Sequence, residues 1–378
     1  MLNFFRFQIC IIALCLPLYL LRFKIFWIPS TVLELMIYIL FALWFFKRKD
    51  CFKKLIIKNR SFLIPVLLLF ISATFSTLLS KNLIISAGIW KAYFLDPLLF
   101  LIVLLDVAKS KPHTENVLFF LVLSGILVSI VSVFYLLTGD LTYDNRLKAF
   151  YLSPNYLAMY VSSCFILGLY FCSKFTGYRK FLMGIFSGLL LIVIYFTKSY
   201  GAYLGIGAAL LFLIKRYNKK LFCALLLVVF IIAFFLLSFS FKSIFSSHSF
   251  ASRLMIWKSA FYIIKDHPII GIGPGMFQKY YLDYQKFFPP YLDWAVPYPH
   301  NIFLAFLSQA GVFGFISFLW LIILFFKNTL LKNAPYFTYI SGAMIYILSH
   351  GLVDTLYWKN DLCIMFWIIL FCGIVKKN

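Results

Sequence analysis

Acidic residues are scarce in this chain. Of 378 residues only 12 are Asp or Glu, against 35 Lys or Arg, and charged residues of both signs make up 12%. A soluble domain carries roughly twice that fraction. The only glutamates are Glu34 and Glu115, so paired-glutamate chemistry is all but excluded. Cysteine occurs eight times, but never between Ser173 and Phe222 or between Ala224 and Leu362. No CxxC and no Cys/His metal spacing is present, so neither a metal nor a cofactor is expected. The chain is rich in apolar residues instead: 63% are hydrophobic and the mean hydropathy is +0.96. That composition belongs to a polytopic membrane protein. The net charge of +23 does not indicate nucleic acid, because the basic residues cluster between apolar spans. The positive-inside rule produces that placement.

A helix that crosses a bilayer needs about 20 apolar residues. By that measure the fold is an all-α membrane helix bundle of about twelve spans, near 7–22, 25–46, 62–79, 84–105, 116–137, 153–172, 181–197, 201–214, 221–240, 301–326, 336–353 and 361–375. The N-terminus lacks a small-residue cleavage site and is expected as an uncleaved first span. With the N-terminus inside, 21 Lys/Arg fall on inner segments and seven in the short outer loops. Both termini are then cytoplasmic, and one long loop lies outside. The chain divides into helices over 1–240, this loop over 241–300, and helices over 301–378.

The long loop opens with an expected helix, 252–265. At 100° per residue Arg253, Trp257, Ala260 and Ile264 form one stripe, flanked by Ile256, Phe261 and Ile263. Ser252, Ser259, Lys258 and Lys265 point elsewhere. Arg253 is either an arginine snorkelling from an interfacial helix or one aimed into a cavity to grip phosphate. The following HPIIGIGPGMF has neither the preceding strand nor the Gly-Lys-Ser/Thr of a nucleotide loop. It is expected as a turn that reverses the chain, with His267 structural. The tyrosine- and proline-rich segment after it suits the membrane–water boundary. His300 begins an apolar helix at the outer surface, either as a general base or as a helix-end hydrogen-bonding residue. On the same surface lie Arg146, Asn155 as the cap of a helix, and Lys198. Within the spans, Lys91 and Asp96 are costly unless paired, and His350 and Asp354 can meet at i, i+4.

Taken together, Arg253-x-x-x-Trp257, then His267, Pro268, Gly271, Gly273, Gly275 and Phe277, then His300-Asn301-x-x-Leu304 and Gly311-x-x-Gly314, resemble the shared core of O-antigen ligases and Wzy-type polysaccharide polymerases. The upstream Arg146, Pro154, Asn155 and Ala158 and the later HGLVD fit the same pattern, over about residues 140–375. The resemblance implies a bacterial inner-membrane enzyme with a periplasmic loop. It implies metal-independent transfer of a glycan from an undecaprenyl-diphosphate-linked donor. In that picture His300 is the base and Arg253 a catalytic cation. Arg146, Lys198, Asn155, Asn301 and Trp257 contact the diphosphate or the glycan. One departure stands out. The family often has Ser-Arg-Gly where this chain has Ser199-Tyr200-Gly201, so Lys198 is the available substitute.

The acceptor expected for a ligase is lipid A–core; for a polymerase it is a second carrier-linked glycan. A transporter or lipid flippase would instead show charged, broken helices in repeated halves, and no duplication is visible. A membrane scaffold would leave Arg253 and His300 without a role.

Overall fold

The computed structural model describes residues 1–26, 28–226, 248–289, 293–332 and 334–374. It is helical apart from one two-stranded hairpin, β1 (Arg22–Ile25) against β2 (Ile28–Thr31). Six described helices are long and apolar enough to cross a membrane: α4 (Arg60–Leu78), the combined segment Leu83–Val107, α7 (Lys111–Leu137), α8 (Pro154–Lys174), α9 (Gly177–Thr197) and α13 (Ile302–Thr329). Shorter apolar helices, including α1 (Leu2–Leu14) and α15 (Asn360–Ile374), complete the bundle. The span expected at 221–240 falls largely outside the described residues.

Two expected spans change shape. The first is a helix of 13 residues, Leu2–Leu14, followed by a 3-10 turn over Leu16–Leu20. The second does not run from 25. Residues 22–31 form the hairpin, and α2 starts only at Val32 and ends at Arg48. Thr31 and Glu34 explain the late start. Thr31 accepts from Glu34 N while the Glu34 side chain accepts from Thr31 N, a reciprocal capping box. Lys91 is paired, as a charge at that depth must be: its Nζ lies 2.8 Å from Glu34 Oε2 and 2.7 Å from Pro29 O. It sits in a π-helical segment, Lys91–Leu95, between α5 (Leu83–Trp90) and α6 (Asp96–Val107). Asp96 is not its partner.

The core is centred on α15, where every residue from Asp361 to Gly373 is buried. Around it pack α6, α13 and α14 (Pro335–His350). Further out, α8 packs on α9 and α10 (Tyr200–Tyr217) packs on α14. At one end of the bundle basic side chains tie helix ends together. Lys174 Nζ meets Glu115 Oε2 at 2.6 Å, and Arg216 Nη2 donates to Leu330 O at 3.3 Å. The opposite end holds Arg146, Arg253 and His300.

The long loop carries two helices, α11 (His248–Asp266) and α12 (Phe277–Tyr284). They form a small core of their own from Ile256, Ala260, Ile263, Phe277 and Tyr281, which rests on Leu304 of α13. The stripe expected on α11 is rotated. Ser252 and Ser259 are buried, whereas Phe261 is 59% exposed. The reason is tertiary: small serines let the helix approach its neighbours closely, and Phe261 is left on the outer flank.

The glycine turn is the joint between this loop and the bundle. α13 is broken at Gly311, where φ is 68° and ψ is −174°. The backbone groups freed by the break are satisfied from two sides. Ile272 N donates to Ser308 O at 2.8 Å, and Val312 N donates to Pro268 O at 3.0 Å. Gly275 N donates to Gln309 Oε1 at 2.7 Å. From α4, Ser72 Oγ donates to Ala310 O at 2.7 Å and Ser76 Oγ to Gln309 O at 2.5 Å. Irregular backbone at membrane depth is tolerated only where protein satisfies it in this way. Gly271, Gly273 and Gly275 all have positive φ, which turns the chain tightly enough to enter the gap.

Candidate functional site

The site is assembled on four successive residues, Gly351–Asp354, just past the end of α14. Gly351 O accepts from Ile302 N at 2.7 Å. Leu352 O accepts from Asn301 Nδ2 at 2.9 Å. Val353 O accepts from Arg253 Nε at 3.1 Å. Asp354 Oδ1 lies 3.1 Å from His300 Nδ1, and Asp354 Oδ2 accepts from Asn155 Nδ2 at 3.1 Å. One short turn therefore gathers α8, α11 and the start of α13.

His300 precedes α13 with φ at 45°, a left-handed conformation that costs a non-glycine residue about 1–2 kcal/mol. Local strain of this kind persists where surrounding contacts over-determine it. Here Asn301 is the N-cap and accepts from Phe303 N and Leu304 N at 2.9 and 3.0 Å. Its amide is thus committed to the cap on one side and to Leu352 on the other. Trp257 Nε1 lies 3.4 Å from His300 O, so one turn of α11 ties Trp257 to the backbone of His300 and Arg253 to the backbone of Val353, beside Asp354. The His300 side chain keeps 32% of its surface exposed, whereas Asp354 keeps 3%. Burial alone would raise the Asp354 carboxyl. The adjacent His300 and the hydrogen bonds it receives overcome that and hold it down at about 2.

Arg146 is fixed by its own loop. Thr142 N donates to Arg146 O at 3.0 Å, and Leu147 N donates to Phe196 O at 2.9 Å, which straps the loop to the end of α9. Arg146 Nε donates to Thr197 O at 2.8 Å, and Nη2 donates to Asn155 Oδ1 at 2.6 Å. A continuous relay results: Arg146, Asn155, Asp354, His300. Asn155 was expected as a helix cap. Instead Ser153 caps α8 by accepting from Asn155 N at 3.2 Å, with Pro154 at the first helical position. That frees the Asn155 amide to bridge Arg146 and Asp354, its carbonyl oxygen facing the donor and its NH2 facing the carboxylate.

Lys198 ends α9 in a left-handed conformation, with φ at 49°. It is exposed and follows directly on the carbonyl that Arg146 holds. Tyr200 is 83% exposed. Gly201 beside it is required by packing: a Cβ there would come 2.6 Å from His350 Cδ2. The contact expected between His350 and Asp354 is not made by their side chains. α14 ends at His350, Asp354 turns away to His300, and His350 Nδ1 pairs with Tyr346 OH at 2.8 Å. His267 packs edge-on against Tyr280, ring centroids 5.1 Å apart, as a structural residue would.

The main residue missed as a site candidate is Asp354. The available signal was a carboxylate at the end of an apolar helix, which is costly unless it is paired. Its partner lies 54 residues away, and no local pattern points there. Among the described residues, no group of three or more His, Cys, Asp or Glu could hold a metal ion.

This geometry can orient a partly exposed histidine with a buried carboxylate, with Arg253 bound to the neighbouring Val353 O and Arg146 reaching the carboxylate through Asn155. Residues 185–319 match the sequence model of the family described as O-antigen ligase. The match contains Lys198, Arg253, Trp257, His300 and Asn301; Arg146, Asn155 and Asp354 lie outside it. No curated protein matches the chain. Over residues 185–319, about a third of its length, the chain is similar to the O-antigen ligase family.

Proposed function

We propose that the protein is an O-antigen ligase-like glycosyltransferase working at the outer face of the inner membrane. It moves a glycan from undecaprenyl diphosphate to a hydroxyl of a lipid A–core acceptor. The observation that carries this reading is the His300–Asp354 pair at 3.1 Å, flanked by Arg253 and Arg146. With Asp354 ionised, Nδ1–H of His300 points at the carboxylate and Nε2 presents its lone pair. Nε2 takes the proton of the acceptor hydroxyl as the oxygen attacks the anomeric carbon. The bond from that carbon to the phosphate oxygen breaks, and undecaprenyl diphosphate leaves with the electron pair. Direct attack inverts the anomeric centre. General-base assistance of this kind contributes about 10²–10⁴-fold.

The charge that develops on the diphosphate is met by cations already in place. Arg253 and Lys198 provide them, and Arg146, whose Nη1 also lies 3.7 Å from Asp144 Oδ2, adds a third. Arg146 also orients the base, through Asn155 and Asp354. Trp257 and Asn301 hold the backbone of the His300 turn and border the bound glycan. In this reading the termini are cytoplasmic.

The test is transfer in vitro from a lipid-diphosphate glycan, offering lipid A–core in one reaction and a second carrier-linked unit in the other. Single addition to lipid A–core is the expected product. A ladder of lengths on the carrier would assign the protein as a polymerase, the alternative that shares donor and base. His300→Ala is expected to insert normally and to abolish transfer with either acceptor. Full activity of that variant would remove the mechanism.

A further inference from the structure

At the end of the bundle opposite His300 there is a cavity of about 430 Å³, a size that suits a small polar ligand. Asn328 of α13 lines it. Helical rise along α13 places it roughly 40 Å from Ile302. Three lysines reach the cavity, Lys54, Lys58 and Lys109. Among the described residues, Asp106 is the only acidic one in its wall, and it is already bound on both oxygens. Trp44 Nε1 donates to Asp106 Oδ2 at 3.0 Å, Arg48 Nη2 donates to Asp106 Oδ1 at 3.1 Å, and Lys109 Nζ meets Oδ1 at 3.0 Å. The cavity therefore presents a surplus of positive charge built on a buried, fixed anion.

The other wall is apolar, formed by Leu55, Leu105 and Ile374. Lys54, Leu55 and Lys58 belong to α3 (Phe52–Lys58). That short helix buries Leu55 against the bundle and leaves Ile56 and Ile57 exposed, Ile57 by 67%. Apolar residues facing outward beside a row of lysines mark a helix lying in the membrane interface. A soluble anion needs the lysines but not the apolar wall, whereas a lipid uses both. Basic pockets between membrane helices recognise anionic headgroups by this combination.

We infer that this cavity is a binding site for the headgroup of an anionic phospholipid of the leaflet opposite the His300 site. Lys54, Lys58 and Lys109 meet the phosphate, and the apolar wall takes the start of the acyl chains. The site holds the base of α4, whose far end carries Ser72 and Ser76, in register with the membrane surface.

The probe is phosphatidylglycerol. Full-length protein is reconstituted in phosphatidylcholine vesicles containing a minor fraction of phosphatidylglycerol, extracted, and its retained lipid is quantified by mass spectrometry. Wild type is expected to enrich phosphatidylglycerol over the bulk ratio. The triple change Lys54→Gln, Lys58→Gln and Lys109→Gln is expected to return retention to the bulk ratio, at about five-fold per lysine. Ser61→Trp, from an exposed position in the cavity wall, leaves every charge in place and should also abolish enrichment. It decides the matter should the triple variant fail to fold. Arg179→Gln, Lys215→Gln and Lys219→Gln, at the same end but outside the cavity, should leave retention unchanged. Equal loss in that control would reduce the effect to diffuse surface charge and overturn the site. Binding of millimolar inorganic phosphate with no enrichment of phosphatidylglycerol over the bulk ratio would overturn the lipid as occupant.

Discussion

At the scale of single residues, Asp354 decides how His300 works. Its carboxylate accepts from His300 on one oxygen and from Asn155 on the other. An amide in its place is uncharged, accepts at one end only and presents N–H donors at the other. In Asp354→Asn, His300 therefore loses the anion that stabilises its protonated form, and the Asn155 amide faces a second donor. Transfer is expected to fall about 10²-fold or more, measured with the lipid-linked donor, while the protein stays folded. The pair also carries a pH signature. The folded carboxyl is held at about 2, below its unfolded value of 3.8. Its contribution is then fully present above the unfolded value and lost as pH falls through about 2. It amounts to on the order of 2 kcal/mol. The stability gap between wild type and Asp354→Asn, read by thermal unfolding in detergent, should shrink as pH falls from about 4 toward 2. A gap that stays constant over that range would contradict the assignment. Arg253 makes a separate prediction. Its Nε is committed to Val353 O, which fixes the plane of the fork. Arg253→Lys keeps the charge but not the plane, and transfer is expected to drop about 10²-fold. Wild-type turnover would return Arg253 to a snorkelling role.

At the scale of elements, the break in α13 and the glycine turn are one structure. The HPIIGIGPG segment was legible as a turn because its glycines cannot hold a helix. What it turns into was not legible. Gly311 looks in sequence like one more small residue in a long apolar helix, where glycine is common. Only contact with the turn shows why it is needed: a Cβ on Gly311 would run into the carbonyl oxygen of Ile269, and its φ of 68° disfavours any other residue. Gly311→Ala is expected to cost on the order of 3 kcal/mol or more and to release α11 and α12 from the bundle. Proteolysis within 267–275 would report that release. Ser72→Ala removes a single hydrogen bond to Ala310 O and should cost only about 1–2 kcal/mol. Equal effects would mean that the turn is not docked in the break.

For the whole molecule, the two ends differ in kind. One end holds the relay of Arg146, Asn155, Asp354 and His300; the other holds Lys54, Lys58 and Lys109 around Asp106. The charge asymmetry supports the proposal that the second end is cytoplasmic. A cysteine introduced at the fully exposed Tyr143 should react with an impermeant maleimide in intact cells. One introduced at Arg179 should react only after permeabilisation. The reverse pattern would invert the topology and with it the side on which transfer occurs.

Composition and periodicity determined much of this protein by themselves. They pointed to a helical membrane bundle, to most of its long apolar helices and to the long excursion before the last spans; the motifs that include Arg253, Trp257, His300 and Gly311 were legible as a resemblance to a family. These features are local: apolar run length, charge placement and residue spacing are written along the chain. Only the tertiary structure decided that α2 begins after a hairpin, that Ser153 rather than Asn155 caps α8, and that Asp354 serves His300 rather than His350. Each of these depends on a partner that lies far away in the chain or on competition between neighbouring side chains for one hydrogen bond. Sequence spacing shows what a residue can reach within its own element, but not which distant group will be packed beside it.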